Sequence, residues 1–198
     1  MRLYVLRHED RTVDASFFAP LTEKGLNNSK DLIKRLGKLN INKVYSSPFI
    51  RTLQTVYPYV KTNGLKINLE YSLSEIQHPH IIPEKSYQIS LPLYLAESFN
   101  YNSKYISMLK PEHHKFPESE KDVYERVKKF IHKLLTEKMD SNDNILIVAH
   151  QIVINCILKI ATKKKNINID YGYNYPKGAL SLIFDKNEWL FESINWEK

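Results

Sequence analysis

Apolar positions along the chain follow two spacings. Leu3–Leu6 is a short apolar β-type run, and Ile145–Val148 is a continuous apolar run, the pattern of a central parallel strand covered on both faces. Lys43–Ser46 and Lys66–Tyr71 are further strand-like stretches. Between them the spacing turns helical. Leu26, Ile33, Leu36 and Leu39 mark a helix from Thr22, a candidate N-cap, to about residue 39. Ser47-Pro48 predicts the start of a second helix, because proline is tolerated in a first turn. Val123, Val127, Phe130, Ile131, Leu134 and Leu135 mark a third over Ser119 to Lys138, followed by a turn over Asp140 to Asp143. Ile152 to Ala161 is apolar almost all round, a buried helix, and Lys163-Lys164-Lys165 reads as its solvated end. Gly178 to Phe184 and Trp189 to Ile194 flank Asp185-Lys186-Asn187-Glu188 as a hairpin. This order predicts an α/β fold: a mostly parallel central sheet flanked by helices on both faces, one domain over residues 1–198. Residues 72–117 are irregular, with prolines interleaved among Tyr, Ser, Asn and His. They are expected to run over the active-site rim, with one short helix around Leu93 to Leu109.

Each strand-like run ends in reactive residues. The first delivers Arg7-His8-Glu9-Asp10, the second leads to Ser47 and Arg51, the third to Glu75 and the fourth to His150. In an open α/β sheet, ligands bind outside the carboxyl ends of the strands. Two histidines, two arginines and a glutamate are therefore expected to converge. Ser47, Arg51 and Thr55 lie four apart, so a helix carries them on one face near its amino terminus, where free N–H groups favour an anion. Taken singly, a histidine or an arginine at such a place is more often structural; the joint pattern is what points to phosphate chemistry.

Composition narrows the partners less than the pattern does. Hydrophobic residues make up 42% and charged residues 26% of the chain, a globular balance. The formal charge of +7 suits an anionic partner without choosing between nucleic acid, membrane surface and phosphorylated molecule. No helix-turn-helix, zinc-finger or RNP-type signature supports nucleic acid. The apolar runs fall short of a membrane-spanning length, and Met1–Leu6 is too short for a secretory core. Cys156, the only cysteine, excludes an internal disulfide and reads as a buried inert thiol. A cytoplasmic protein is expected. His78-Pro79-His80 and His113-His114 lack carboxylate or thiolate partners at a metal-ligand spacing, so surface histidines are expected and no metal or other cofactor.

The motifs together resemble the histidine phosphatase superfamily, the phosphoglycerate-mutase-like fold. Leu6-Arg7-His8 matches the first two places of its Arg-His-Gly signature, and Leu21-Thr22-Glu23-Lys24-Gly25 its Leu-Thr-x-x-Gly element. Residues Ser46 to Thr55 match Ser-Ser-Pro-x-x-Arg-x-x-Gln-Thr, Leu73-Ser74-Glu75 is similar to the segment bearing the acid, and Val148-Ala149-His150 to the second-histidine element. The resemblance covers residues 3–55 and 144–184 well and the middle poorly. It departs in three places: Glu9 and Gln151 stand where glycine is usual, and Asn27-Asn28 where glutamine-alanine is usual. Glu9 is expected to bring bulk and negative charge beside the phosphate site.

The resemblance implies that His8 attacks phosphorus to give a phosphohistidine, which water then hydrolyses. It implies that Arg7, Arg51 and a cationic or donating His150 hold the nonbridging oxygens. Glu75 is the expected proton donor, with Asp10 in reserve. Arg11, similar to an extra arginine of one phosphatase subgroup, joins Asp14 and Ser47 as a candidate substrate contact. The expected activity is hydrolysis of a phosphate monoester on a phosphorylated small molecule or phosphoprotein. A phosphoglycerate-mutase-type phosphotransferase and a catalytically weak phosphate-binding relative are the alternatives.

Overall fold

The computed structural model describes residues 1–80, 89–136, 142–165 and 174–194. Six strands form one sheet in the order β3-β2-β4-β1-β5-β6: β1 (Arg2–Arg7), β2 (Lys43–Ser46), β3 (Ile67–Leu69), β4 (Asn144–Ala149), β5 (Leu180–Asp185) and β6 (Glu188–Ser193). The first four are mutually parallel, and β5 and β6 add an antiparallel edge. The parallel register is regular, Leu3 facing Ile145 and Leu6 facing Val148. The turn from β5 to β6 is Lys186-Asn187, both at positive φ, the geometry of a two-residue hairpin loop whose twist matches its strands.

The alternation along the strands explains why both faces are apolar. Leu3 and Val5 of β1, with Ile145 and Ile147 of β4, pack against α4 (Glu120–Thr136) and α5 (Gln151–Lys165). Tyr4, Leu6, Leu146 and Val148 point the other way, onto α1 (Glu23–Gly37) and α2 (Ile50–Thr62). Among the described residues no helix is long and apolar enough to cross a membrane.

Several local expectations hold and several move. Thr22 caps α1, its hydroxyl accepting from the Gly25 amide at 3.1 Å. The buried stripe of α1, however, is Gly25, Ser29, Leu32 and Leu36, while Leu26 is exposed. Small residues carry this contact because the helix runs against backbone: a Cβ at Gly25 would overlap the Asp10 carbonyl. The second helix begins at Ile50 rather than at Pro48. The helix expected over 93–109 is only α3 (Leu93–Ser98), stopped as Asn100 turns to positive φ. β3 is shorter than Lys66–Tyr71, since Glu70 draws the chain into a 3-10 turn over Tyr71–Leu73. The Glu70 carboxylate accepts from the Ser72 and Met108 amides and from the Tyr105 and Ser107 hydroxyls at 2.6–2.9 Å, tying the irregular segment to the strand end. The last residues of the expected third helix, 137 and 138, and the first two of the turn after it, 140 and 141, lie outside the described residues.

Candidate active site

The four parallel strands end on one edge of the sheet and present their reactive residues there. His8 continues the ladder past β1, its amide donating to Ala149 O at 3.0 Å, so its backbone is fixed before any side chain acts. Its ring Nδ1 lies 2.7 Å from the Glu9 carbonyl. A carbonyl only accepts, so Nδ1 carries the proton and Nε2 keeps the free lone pair. Burial, then the Arg51 charge, drive the His8 pKa down to about 3, leaving the imidazole neutral. A neutral imidazole with an exposed lone pair is a nucleophile.

The His150 ring packs edge-on to that of His8, centroids 5.3 Å apart, and edge-on to Phe49 at 4.8 Å. Complete burial, then Arg51 and His8, hold its pKa well below the ordinary value. This favours the neutral, donating form of His150. Ser47 Oγ sits 2.8 Å from His150 Nε2. Glu75 Oε2, an acceptor, lies 3.7 Å from Nδ1, which favours the tautomer with the proton on Nδ1 and Ser47 donating to Nε2. Ser47 was expected to touch substrate; here its hydroxyl faces the histidine instead.

Arg51 is fully buried, a rare state for a guanidinium. Burial lowers its pKa to about 10 while Glu75 pulls it back, so it stays charged at neutral pH. Its Nη1 donates to the Ser16 and Ala15 carbonyls at 2.8 and 3.3 Å, its Nη2 lies 4.0 Å from Glu75 Oε2, and its plane covers the Phe49 ring at 4.6 Å. Arg7 donates through Nη1 to the Tyr175 carbonyl. Glu75 follows the turn after β3, with Oε2 3.7 Å from His150 Nδ1 and Oε1 accepting from the Ile76 amide at 3.1 Å.

Three buried nitrogens of this group have no hydrogen-bond partner: Arg7 Nε, Arg51 Nε and His150 Nδ1. Unsatisfied buried donors are costly, roughly 1–3 kcal/mol each and more when charged. Two of the three nitrogens belong to guanidinium groups and the third to the second histidine, and all three lie in the group around His8.

Other expected contacts lie elsewhere. Arg11 folds onto its own loop, donating to the Thr12, Val13 and Asp14 carbonyls at 2.7–3.2 Å. The Asp14 carboxylate accepts from the Ser16 amide and hydroxyl. Both shape the rim loop that meets Arg51. Asp10 is paired with Lys177 at 2.5 Å and with Thr22 at 2.9 Å, which together hold its pKa down. A carboxylate so engaged is a poor proton reservoir. Glu9, expected beside the phosphate, turns away from it. Its carboxylate accepts from Asn28 Nδ2 at 3.0 Å, feels the Arg35 charge and closes on Gly178, where any Cβ would overlap it. Its amide donates to Thr55 Oγ1 at 3.0 Å, pinning the residue whose carbonyl holds His8. Two of the departures from the family pattern, Glu9 and Asn28, are thus bonded to each other. Among the described residues no three metal-ligating side chains cluster, and His78 and His80 simply stack, centroids 4.9 Å apart.

Sequence reading missed Tyr175, whose carbonyl holds Arg7 and whose hydroxyl meets Ser181 at 2.7 Å, and the buried pair Arg126–Glu118. Arg126 falls on the apolar face of α4, and that break in the stripe was the available signal.

The fold resembles solved phosphatases. Ecdysone phosphate phosphatase from Bombix mori, solved with tungstate, shares 15% identity with a TM-score of 0.71, over 98% of this chain and 92% of that one. Alpha-ribazole phosphatase from Shigella flexneri shares 19% identity with a TM-score of 0.67, over 99% and 96%. The mycobacterial glucosyl-3-phosphoglycerate phosphatase, solved with VO3, shares 17% identity with a TM-score of 0.64, over 98% of each chain. No curated protein sequence matches. A family model matches residues 11–197, nearly everything after the first strand, and with it the chain belongs to branch 1 of the histidine phosphatase superfamily.

Proposed function

We propose that the chain hydrolyses a phosphate monoester through a phosphohistidine on His8. One observation carries this reading: the three partnerless buried donors of Arg7, Arg51 and His150 surround a neutral His8 whose Nδ1 is already committed. A phosphate dianion satisfies those donors and meets Nε2 in the same place. His8 Nε2 forms the N–P bond as the ester P–O bond breaks, and Glu75 gives its proton to the departing oxygen. Glu75 then takes a proton from water, whose oxygen forms the new P–O bond as P–N breaks, releasing inorganic phosphate and neutral His8. Arg7 and Arg51 act as fixed charges on the nonbridging oxygens, where most of the electrostatic work of phosphoryl transfer lies.

The names of the similar structures, phosphatases of ecdysone phosphate, alpha-ribazole and glucosyl-3-phosphoglycerate, support a small organic phosphate as substrate. The buried Glu9 carboxylate, bonded to Asn28, supports hydrolysis over a catalytically weak phosphate-binding relative. The test is hydrolysis of an aryl phosphate and of an alkyl phosphate by the wild type, His8→Ala and Glu75→Gln. His8→Ala should abolish both activities. Glu75→Gln should slow the alkyl ester far more than the aryl ester, whose leaving group needs no proton. Full activity in His8→Ala would end the phosphohistidine mechanism, and equal losses in Glu75→Gln would end the acid assignment.

A further inference from the structure

The Glu75 carboxylate is poorly anchored by its own side chain. Its one hydrogen bond among the described residues comes from the adjacent Ile76 amide, and its neighbours Arg51 and His150 stand 3.7–4.0 Å away. Its position is therefore set by the backbone of residues 72–77. That backbone is gripped from the α4 side by two buried charged residues. Arg126 Nη1 donates to the Ser72 carbonyl at 2.7 Å and Nη2 reaches the Glu75 carbonyl at 3.4 Å. The same guanidinium forks onto Glu118, Nε to Oε1 at 2.8 Å and Nη2 to Oε2 at 3.0 Å. Glu118 completes the grip: its Oε2 accepts from the Gln77 amide at 2.9 Å, and its own amide donates to the Gln77 carbonyl at 2.6 Å. Gln77 Nε2 then closes back onto the Glu75 carbonyl at 2.6 Å.

We propose that Arg126, with Glu118, is a positioning pair for the proton donor, holding the 72–77 turn so that the Glu75 carboxylate points at the leaving-group oxygen. This rests on the reading of Glu75 as the acid. Burial of the pair is otherwise hard to justify on stability, since two desolvated charges seldom repay their transfer cost against an apolar pair of equal volume. Burial alone would raise the Glu118 pKa. Hydrogen bonds from His114 and Arg126 outweigh that and bring it down to about 2, so Glu118 stays ionised at neutral pH. Planarity matters here. One guanidinium serves Ser72, Glu75 and both Glu118 oxygens, whereas a lysine ammonium is a single point and cannot span them.

The experiment compares kcat and KM for the alkyl and aryl phosphates in Arg126→Lys, and in a Glu118→Gln/Arg126→Met double variant that removes both charges together and so leaves no buried ion unpaired. Misplacing a reacting group by about 1 Å can cost roughly 100-fold. Each variant should therefore lose about 10- to 100-fold in kcat on the alkyl ester, with KM within about twofold and the aryl ester within about threefold. Added to Glu75→Gln, Arg126→Lys should cost the alkyl ester nothing further, because the group it positions is already gone. Equal losses on both esters in the folded double variant, or full additivity with Glu75→Gln, would overturn the proposal while leaving a selective Glu75→Gln effect, and hence the acid assignment, intact. If Glu75→Gln itself shows no selectivity, the acid assignment falls and this proposal falls with it.

Discussion

The neutral state of His8 has a consequence for stability that can be measured without substrate. In the unfolded chain a histidine titrates near 6.5; in the fold His8 resists protonation until about pH 3. As pH falls below 6.5 the unfolded chain takes up a proton that the folded one refuses, so stability present above 6.5 drains away between 6.5 and 3. The slope tends to about 1.4 kcal/mol per pH unit for one such site, and proton uptake by the unfolded chain between pH 7 and 5 integrates to about 2 kcal/mol. His150 adds a slope of the same sign, but it is present with or without His8. The perturbation is therefore His8→Asn, whose amide can still donate to the Glu9 carbonyl while having no proton to gain. Urea unfolding of both proteins at pH 7 and pH 5 gives two stability differences. The wild type should lose about 2 kcal/mol relative to His8→Asn on going to pH 5. A difference that stays constant would mean that His8 protonates in the fold as an ordinary histidine. Burial and the neighbouring Arg51 would then not be holding His8 neutral.

Other consequences follow from single contacts. Ser47→Ala should lower kcat by about 10- to 100-fold with little change in KM, because His150 Nε2 loses its donor and the tautomer with a proton on Nδ1 loses its advantage; an unchanged kcat would show that Ser47 does not orient His150. Glu9→Gly should destabilise the protein by about 1–3 kcal/mol in urea unfolding without raising kcat, since it leaves Asn28 without its buried acceptor and removes one of the two carboxylates that attract Arg35. A faster enzyme would restore the view that Glu9 obstructs the phosphate. Gly178→Ala should cost about 1–3 kcal/mol by the same assay, because position 178 sits at φ +68° and its Cβ would overlap Glu9; neutral stability would show that the Glu9 side chain is free to move.

The sequence alone determined the elements whose pattern is strong and local. The apolar runs at 3–6 and 145–148 marked strands, and the continuous one at 145–148 a strand covered on both faces, because in such a strand every side chain must be apolar. The Thr22 cap and the β5–β6 turn were legible for the same reason: each is set by residues within a few positions of one another. The reactive residues were legible through their place at strand ends, since a parallel sheet delivers all its carboxyl ends to one edge.

What only the tertiary structure decided was where side chains of equal chemistry point. Ser47 turned to His150, and Arg11 and Asp14 closed on their own loop. Asp10 and Glu9 are both carboxylates within two residues of His8, yet one pairs with Lys177 and the other with Asn28, partners 167 and 19 positions away. Arg126 reads as one more helix charge until α4 is laid against the sheet and its guanidinium meets the turn that carries Glu75. Such choices depend on which backbone groups the fold leaves unsatisfied nearby, and that information lies in no single stretch of the chain.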